Sequence, residues 1–356
     1  MKIFHLITRD KFTAGYINFM KTYVVEHKHI FAISSTKYSE DDSVERDIID
    51  FENVILYKNG KWLAFSPDIR KVLEDVDKII VSGLFGNEKF IYFWPNKAFK
   101  KMYIQFWGGD FYQLRENNFK GINGIFQKKT LLSCIKKSYA FVFLIEGEYE
   151  KFSEITKIKK NNVFVAPMPM NEHYYNFEYI DNNTSKGIIN ILVGNSASEE
   201  NCHLKAFTLL SKFKDNNINV YSPLSYGDKD YKENVILLGK KIFGKKFIPL
   251  CEWISPEDYL LFLSRCDIGV FCNNRQQGMG NINALLSFGK KVFMNPDTSM
   301  YNYYLDQGYS CFSTNDILYE DFNEFVHFSD GNLNKSIYKT IHSIECVKNK
   351  WNEILN

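Results

Sequence analysis

Residues 267–295, DIGVFCNNRQQGMGNINALLSFGKKVFMN, contain a complete strand–helix–strand pattern. The apolar run 268–272 has the length of a buried strand, and a second such run follows at 291–294. Between them the pattern predicts a polar turn and then a helix that opens near Gln277 and ends before Gly289. A helix that connects two buried strands is typical of a parallel sheet with helices packed on its faces.

The turn at 273–280, NNRQQGMG, has the composition of an anion-binding site. It places an arginine, amide side chains and two glycines at a helix start, where backbone N–H groups lack partners and the helix dipole is positive. Glycine lets a ligand approach the backbone, and Arg275 can donate two parallel N–H groups to phosphate oxygens. An ordinary strand-to-helix turn is the alternative interpretation.

Similar apolar runs alternate with helix-length segments along the rest of the chain. In the first half they lie at 3–8, 30–34, 54–57, 78–82, 102–107, 140–145 and 163–166. In the second half they lie at 188–193, 218–222, 235–238, 247–251, 268–272 and 291–294. This alternation predicts an α/β protein with two doubly wound, Rossmann-like parallel-sheet domains. Ligands of such sheets bind outside the carboxyl ends of the strands, so a cleft between the domains is the expected binding site.

The domain boundaries follow from a polar stretch at 176–186, which has the composition of a linker. We predict a first domain at 1–175 and a second at 187–334. A helical pattern at 335–356 ends the chain and could pack back towards the first domain.

Composition indicates a globular protein of the cytoplasm. The 356 residues are 45% hydrophobic and carry a net charge of +2, and no apolar stretch approaches the ~20 residues that span a bilayer. The N-terminus has the pattern of a strand rather than a signal peptide. The 7 cysteines are scattered without a C-x-x-C pair, which argues against a disulfide framework and for a reducing compartment.

Two further corners of the second half could contact a ligand. Gly194, Asn195 and Ser196 follow the first strand there, and a helix starts around Glu200. A plain helix cap by a serine is the alternative for this corner. The first and fifth predicted strands could aim their corners into one crevice, where two phosphates would indicate a nucleoside diphosphate. After the second strand, Ser222 and Tyr226 could contact a base, although a plain loop explains them equally well.

Several cofactor sites are missing from the sequence. No G-x-G-x-x-G follows a first strand and no G-x-x-x-x-G-K-[ST] occurs, which argues against nicotinamide, flavin and P-loop chemistry. No histidine cluster has the spacing of a transition-metal site. We therefore expect none of these cofactors and no transition-metal site.

Two acids of the first half are candidate general bases. Asp110 follows Trp107 and two glycines at the end of the fifth strand, and Glu148 follows the sixth. A carboxylate at such a strand end faces the crevice, and burial beside Trp107 and Phe111 would raise the pKa of Asp110 towards neutrality. Capping of the next helix is the alternative role for Asp110. His5, inside an apolar strand, is more typical of a core histidine than of a catalyst.

Residues 89–137 combine lysines with tryptophan and phenylalanine. Such a segment suits adsorption to the anionic inner face of the cell membrane, where each lysine near the surface contributes about 1 kcal/mol. The low net charge and the absence of a nucleic-acid motif argue against nucleic acid as a partner. A solvated lysine-rich face is the remaining alternative.

Four motifs resemble those of a known family, the bacterial TDP-4-acetamido-4,6-dideoxygalactose (Fuc4NAc) transferases of enterobacterial common antigen synthesis. ILVGNS at 191–196 and RCDIG at 265–269 are similar to the family's I-L-V-G-N-S and x-C-D-L-G. RQQGMG at 275–280 and WGGDFY at 107–112 are similar to its R-Q-Q-G-I-G and W-G-A-D-L-Y. The N-terminal third is much less alike, and Glu146-Gly147-Glu148 stands where the family has a basic residue, Gly and Asp.

The resemblance implies a GT-B glycosyltransferase. Its second domain would bind the donor, a dTDP- or UDP-linked deoxy or amino sugar, and its first would bind a polyprenyl-diphosphate-linked saccharide at the inner membrane face. No metal would be required, because cationic side chains and helix N-termini would neutralise the leaving diphosphate. The expected catalytic residues are Asp110 and Glu148. The expected donor-binding residues are Gly194, Asn195, Ser196, Ser222, Tyr226, Arg275, Gln276, Gln277, Gly278, Met279, Gly280 and Asn281.

Two other functions remain open at this point. A GT-B-like sugar-nucleotide 2-epimerase would have the same two domains and need no lipid-linked acceptor. A non-catalytic protein that binds nucleotide-sugars or glycans would need neither candidate base.

Overall fold

The computed structural model describes residues 1–10, 12–34, 53–57, 60–115, 119–170 and 187–356. The chain forms two compact units. The first consists of Met1–Glu172 together with Ile344–Asn356, and the second of His173–Ser343. The predicted linker at 176–186 lies outside the described residues.

The first unit is built on a seven-stranded parallel sheet with the order β3-β2-β1-β4-β5-β6-β7. Its strands are β1 Lys2–Thr8, β2 Lys28–Ser34, β3 Val54–Tyr57, β4 Lys78–Ser82, β5 Met102–Gln105, β6 Ala140–Phe143 and β7 Val163–Val165. The central strands consist mainly of apolar residues and are buried on both faces, as expected for a parallel sheet covered by helices.

Helices connect and cover these strands. They are α1 Thr13–Tyr23, α2 Gly60–Phe65, α3 Pro67–Asp75, α4 Glu88–Ile91, α5 Asn96–Phe99, α6 Gly109–Tyr112, α7 Gly121–Lys137 and α8 Glu148–Thr156. The final helix of the chain, α16 Ile344–Leu355, also belongs to this unit. Its Trp351 is fully buried, and the indole Nε1 donates to the carbonyl of Pro167 at 3.0 Å.

The second unit is built on a six-stranded parallel sheet with the order β10-β9-β8-β11-β12-β13. Its strands are β8 Ile189–Val193, β9 Ile218–Pro223, β10 Phe247–Leu250, β11 Ile268–Phe271, β12 Lys291–Met294 and β13 Phe312–Ser313. Its α-helices are α9 His203–Leu210, α10 Lys229–Phe243, α11 Pro256–Ser264, α12 Met279–Ser287, α13 Ser299–Asp306, α14 Phe322–Val326 and α15 Gly331–Ile341. Short 3-10 helices are present at Glu199–Asn201, Ser211–Phe213, Gly244–Lys246 and Asp316–Leu318.

In both sheets the strand order reverses next to the first strand. β1 lies between β2 and β4, and β8 lies between β9 and β11. Loops that follow the two strands flanking such a reversal lead to opposite faces of the sheet and leave a crevice between them. The prediction of two doubly wound parallel-sheet domains is confirmed.

Two predicted elements are wrong. Residues 235–238 are not a strand but lie within α10, whose N-cap Asp228 accepts a hydrogen bond from the backbone of Tyr231 at 2.8 Å. Val235 is buried there while Leu237 is 69% exposed, because only one face of the helix packs against the rest of the unit. The predicted C-terminal helix is two helices, α15 and α16, which are separated at His342 and Ser343.

In the part of the chain that the structure describes, no helix has both the length and the apolar character needed to cross a membrane. All 7 cysteines are free thiols.

Candidate functional site

The candidate donor site lies at the strand-order reversal of the second unit. β8 and β11 are neighbours in the sheet, with Ile191 opposite Ile268 and Val193 opposite Val270. The corners at 194–198 and 273–280 therefore leave the same edge of the sheet side by side. Because 235–238 is helical, β11 is the fourth strand of this unit rather than the fifth. In the sheet order β11 lies next to β8, so the two corners follow adjacent strands.

The first corner is held in shape by a buried asparagine. Gly194 has a φ of 69°, and a Cβ at this position would lie 2.8 Å from the Asn201 side-chain oxygen, so only glycine fits. Asn201 is fully buried; its Oδ1 accepts from the Asn195 backbone at 2.8 Å, and its Nδ2 donates to Ser196 Oγ at 3.1 Å. This side chain fixes the backbone that carries Asn195 and Ser196.

Further amides join the first corner to the second. Asn273 Nδ2 lies 3.4 Å from Asn195 Oδ1 and 3.3 Å from Asn201 Oδ1. Asn295, at the end of β12, donates to the carbonyl of Asn273 at 3.0 Å. Since buried amides are costly unless they are paired, this set of side chains sets the spacing between the corners firmly.

The second corner reaches directly to Ser196. Gln277 Nε2 lies 3.3 Å from Ser196 Oγ. Gly278 adopts a φ of 72° and lies against the Asn195 side chain, and it is the residue before α12, which begins at Met279 rather than near Gln277. A Cβ built on Gly280, in the first turn, would meet open space. The start of α12 therefore offers backbone N–H groups beside the Asn195–Ser196 corner.

Arg275 is held by an acid that the sequence did not single out. Its Nε and Nη2 lie 3.4 and 3.3 Å from Glu200 Oε1, and the two side chains are 12% and 25% exposed. The Ser198 hydroxyl donates to the other oxygen of Glu200. Burial alone would raise the pKa of Glu200, but the contacts of Ser198 and Arg275 outweigh it and hold that pKa below its usual range.

The third corner also contacts the first. Asn195 Nδ2 donates to the Tyr226 hydroxyl at 3.2 Å, and Ala197 forms a parallel bridge with Gly227. Tyr226 is 51% exposed. Ser222 is fully buried at the end of β9, and its hydroxyl has no hydrogen-bond partner among the described residues.

Three predicted residues of the second corner line its helix start. Gln276 and Asn281 are buried, and Met279 Sδ lies 3.7 Å from the Tyr304 hydroxyl. The Asn281 amide nitrogen has no partner within the described part of the chain. The structure thus brings together the predicted residues of the first and second corners, with Tyr226 beside them.

The candidate base Asp110 lies in the first unit, in the short helix α6 after β5. It is fully buried, and its oxygens accept from the backbones of Trp107 at 3.2 Å and Leu84 at 3.5 Å. Burial, with a smaller contribution from the charge of Glu88, raises the pKa of Asp110 to about 7. The carboxylate therefore fixes two loops, as a capping residue does, and also has a proton affinity suited to base catalysis.

Glu88 is a second buried acid at this edge of the sheet. One of its oxygens accepts from the Gly86 backbone at 2.8 Å, and burial raises the pKa of Glu88. The other candidate, Glu148, begins α8, is 1% exposed and accepts from the Tyr112 hydroxyl at 3.0 Å. His5 is fully buried and hydrogen-bonded to Tyr16 and His29, as expected of a core histidine.

The first unit also exposes an apolar surface. Ile122 is 88% and Ile125 66% exposed in the first turns of α7, and Phe126 of the same helix lies 6.4 Å from the ring of Tyr92. The ring series continues from Tyr92 to Phe93 and then to Phe65 in α2. The exposed lysines on these and neighbouring segments include Lys61, Lys97, Lys100, Lys120, Lys129, Lys136 and Lys137. We call this set of side chains the α7 surface.

A family model described as 4-alpha-L-fucosyltransferase, glycosyl transferase group 56, matches residues 72–324, which is more than half of the chain. The chain belongs to this family. It is therefore a glycosyltransferase, and the predicted class of enzyme is confirmed. The predicted Fuc4NAc specificity is narrower than this finding and stays a prediction.

The fold of this chain is similar to those of several solved glycosyltransferases. Anabaena HepE in complex with UDP and glucose is similar over 100% of this chain and 99% of that one, with a TM-score of 0.70 at 12% identity. A glycosyltransferase from Rickettsia africae covers 99% of this chain and 97% of its own at a TM-score of 0.68 and 13% identity. WaaG, a glycosyltransferase involved in lipopolysaccharide biosynthesis, is similar over 99% of this chain and 99% of its own, with a TM-score of 0.62 at 8% identity. The fold is GT-B.

Within the described ranges, no group of three or more histidine, cysteine, aspartate or glutamate side chains is arranged to hold a metal ion.

Proposed function

We propose that this glycosyltransferase moves a Fuc4NAc-like deoxy or amino sugar from a dTDP- or UDP-sugar to a polyprenyl-diphosphate-linked saccharide in bacterial surface polysaccharide synthesis. The proposed binding of the donor nucleotide-sugar rests on the contact between two corners of the second unit, in which Gln277 Nε2 lies 3.3 Å from Ser196 Oγ. The resemblance of four motifs to the Fuc4NAc transferases supports the choice of sugar and acceptor.

The donor diphosphate would lie at the start of α12. Arg275 uses one hydrogen of each terminal nitrogen on Gln276 and Glu200, so each terminal nitrogen keeps one N–H for a phosphate oxygen. Ser196 and the free N–H groups of α12 would bind the remaining oxygens. These donors would stabilise the charge that develops on the diphosphate as the bond to the sugar breaks, which is the usual alternative to a metal ion.

Transfer exchanges one bond for another. The acceptor hydroxyl oxygen forms a bond to the anomeric carbon, the bond from that carbon to the diphosphate breaks, and the nucleoside diphosphate leaves with the electron pair. Asp110 would take the hydroxyl proton, and its pKa of about 7 makes it half ionised near neutral pH. Glu148 is the alternative base. No cofactor enters this balance.

The α7 surface supports a membrane-bound acceptor. Ile122, Ile125 and Phe126 leave three large apolar side chains exposed within two turns of one helix, and exposed lysines occur on the same and neighbouring segments. This combination is typical of helices that insert shallowly into an anionic lipid surface. We therefore place the enzyme in the cytoplasm, at the inner face of the cell membrane.

Incubation of the protein with dTDP- and UDP-linked sugars, with and without membrane extract lipids that carry saccharides, tests the proposal by mass spectrometry of the products. We expect a lipid-linked saccharide that has gained one sugar, only when the acceptor is present. Arg275→Gln should abolish this product, whereas Arg265→Gln, a change at an exposed arginine, should not.

Two results would contradict sugar transfer to a lipid. An isomerised nucleotide-sugar formed from the donor alone would identify an epimerase. A cellular glycan left unchanged by both Asp110→Asn and Arg275→Ala would identify a non-catalytic protein.

A further inference from the structure

Three loops of the first unit bring aromatic side chains together at the strand-order reversal of its sheet. Phe12 follows β1, Phe85 follows β4, and Trp107 follows β5. The Trp107 ring lies 6.0 Å from that of Phe12 and 5.5 Å from that of Phe85, both edge-to-face. All three side chains are partly exposed, so this cluster is not part of the closed core.

Phe85 is held in a strained backbone conformation. Its φ is 36°, in the left-handed region that a bulky side chain rarely adopts. Gly83 leaves room for the ring, because a Cβ there would lie 2.3 Å from it. Backbone strain of this kind persists where the surrounding structure enforces it and is concentrated at ligand sites.

The loop around Phe85 is fixed on both sides. Gly83 N donates to the carbonyl of Gln105, and Leu84 N lies 3.5 Å from the carboxylate of Asp110. On the other side Gly86 N donates to Glu88 at 2.8 Å. The same carboxylate of Asp110 accepts from the Trp107 backbone. Asp110 therefore helps to fix the backbone positions of the loops that carry Phe85 and Trp107.

A buried polar group that is linked to the Trp107 indole through Ser82 lacks a partner. The indole nitrogen of Trp107 donates to Ser82 Oγ at 3.2 Å, which in turn contacts the Gln105 side-chain amide at 2.7 Å. Gln105 is fully buried, and its amide nitrogen has no partner among the described residues. Whichever way the amide is oriented, one of its polar atoms is left unpaired.

We propose that Phe12, Phe85 and Trp107 form a stacking surface for one sugar ring of the acceptor saccharide, an inference that rests on the proposed sugar transfer. A sugar ring offers apolar C–H faces to aromatic rings, which matches the three partly exposed rings of this cluster. The position agrees with the rule that ligands of doubly wound sheets bind outside the carboxyl ends at the reversal of strand order. The carboxylate of Asp110 accepts from the backbones of Leu84 and Trp107, and it thereby helps to position two of the three rings.

The test compares two short-chain probes, farnesyl diphosphate and farnesyl diphosphate linked to N-acetylglucosamine, by calorimetric binding. We expect the sugar-bearing probe to bind wild type about tenfold more tightly. Phe85→Asn and Trp107→Ala should remove this advantage, and Trp107→Phe should restore part of it. Tyr319→Ala, a change at an aromatic side chain that is 85% exposed in the second unit, should leave it unchanged.

Stability separates a binding role from a structural one. Asparagine tolerates the left-handed region, so Phe85→Asn should keep or raise the melting temperature while the sugar advantage is lost. A lower melting temperature with the advantage retained would overturn the inference. So would equal affinity of wild type for the two probes. If the sugar probe binds as expected but no donor sugar is transferred, the proposed function fails and the stacking surface stands.

Discussion

At the scale of single residues, the donor site depends on how Arg275 is held. The side chain of its partner Glu200 pairs with Arg275, and the backbone carbonyl of Glu200 accepts from Asn274 N at 3.0 Å. Glu200, which follows the first corner, therefore makes two contacts with the second corner. A carboxylate beside a phosphate site has an electrostatic cost, because it repels the ligand that Arg275 attracts. We infer that Glu200 trades donor affinity for a fixed guanidinium.

Glu200→Gln should therefore bind nucleoside diphosphate more tightly than wild type. The amide keeps an oxygen that can accept from Arg275, while one negative charge near the ligand is removed, a change on the order of 1–3 kcal/mol. Calorimetric titration with UDP and dTDP measures it. Glu199→Gln, the same charge change at the exposed neighbouring acid, is the control and should have little effect. Weaker binding by Glu200→Gln than by Glu200→Ala would contradict this role.

Asp110 gives a second prediction at this scale. As a base it must be ionised, so kcat/KM should rise with pH through a midpoint near 7. Asp110→Asn should lower kcat by about 10²–10⁴-fold. Glu88→Gln should move the midpoint of the wild-type profile downward, because the charge of Glu88 raises the pKa of Asp110. A profile whose midpoint is the same in the Glu88 variant would argue that Asp110 only caps its loop.

The pKa of Asp110 also affects stability. Its folded-state pKa lies above the unfolded value of 3.8, so its contribution is fully present below pH 3.8 and is lost as the pH rises through about 7. The site therefore accepts a stability cost at the pH where an ionised base is useful.

Sequence reasoning found the residues of the site that belong to motifs and missed those that support them. Ser196 and Gln277 were predicted to lie near one ligand because both follow strand ends, and the structure places them in contact. Glu200 and Asn201 lie in a short 3-10 helix that matches no sequence motif. Asn273 contacts Asn201 only because folding brings their two strand ends together. Pairing across 72 residues is a property of sheet order, which periodicity does not determine.

At the scale of elements, a chain of hydrogen bonds joins β1, α1 and β2. His29 Nε2 lies 2.8 Å from the carbonyl of Val24, which can only accept, so this nitrogen carries the hydrogen. His29 Nδ1 then accepts from His5 Nε2 at 2.8 Å, and His5 Nδ1 accepts from the Tyr16 hydroxyl at 2.9 Å. Both rings are neutral in this arrangement, and a further proton has no place in it.

This chain should make the fold sensitive to acid. Burial first, and then the charges of His29 and His27, lower the pKa of His5, and burial also lowers that of His29. Their contribution to stability is complete above the unfolded value of 6.5 and is lost as the pH falls through the lowered values. The melting temperature should therefore fall as the pH is lowered below 6.5 in a scanning calorimeter.

His5→Leu tests this origin. It should destabilise the fold at pH 7.5 by about 1–3 kcal/mol for each polar group left unpaired, and should make the loss between pH 6.5 and 4.5 shallower. A residual loss is expected from the buried His203 and His342, whose pKa values burial lowers to about 4. His327→Leu, at an exposed histidine, should leave the profile unchanged. An unaltered slope in His5→Leu would contradict the assignment.

The α7 surface is a property of one helix and its neighbours. Wild type should float with vesicles of anionic phospholipid, less at high salt, and not with neutral vesicles. Ile122→Asp with Ile125→Asp should remove it from the lipid fraction. Leu237→Asp, at a leucine that is 69% exposed on α10 of the second unit, is the matched control. Equal recovery of the Ile122/Ile125 variant would exclude α7 as the membrane contact.

Strands were predicted correctly from the sequence where a short apolar run is in fact a buried strand. The strands β1, β4 and β12 are short apolar runs between polar turns, and their bounds were predicted within one residue. The run at 235–238 has the same composition but lies in α10, because Val235, Gly239 and Phe243 form one buried side four residues apart. A four-residue apolar window does not distinguish these cases, and the cap at Asp228 is the signal that would have done so.

At the scale of the whole molecule, the two sheets share the order of their first six strands, and each presents loops at a reversal next to its first strand. In the second unit these loops carry the amides, Arg275 and the helix start proposed for the diphosphate. In the first unit they carry the aromatic cluster and Asp110. The fold class followed from the alternation of strands and helices, while the strand order and thus the neighbours of each loop required the structure.

The proposed pyrophosphate site in the second unit is tested most directly by thermal unfolding in the presence of dTDP, UDP, GDP and CMP. A nucleoside diphosphate that binds the folded state should raise the melting temperature, with a stabilisation of about 2.7 kcal/mol at a hundred times its Kd, and CMP should do so least. Arg275→Gln and Ser196→Ala should each reduce the rise, and Arg265→Gln should not. A melting temperature that no diphosphate raises, or a rise of equal size in all of these variants, would contradict a pyrophosphate held between the two corners.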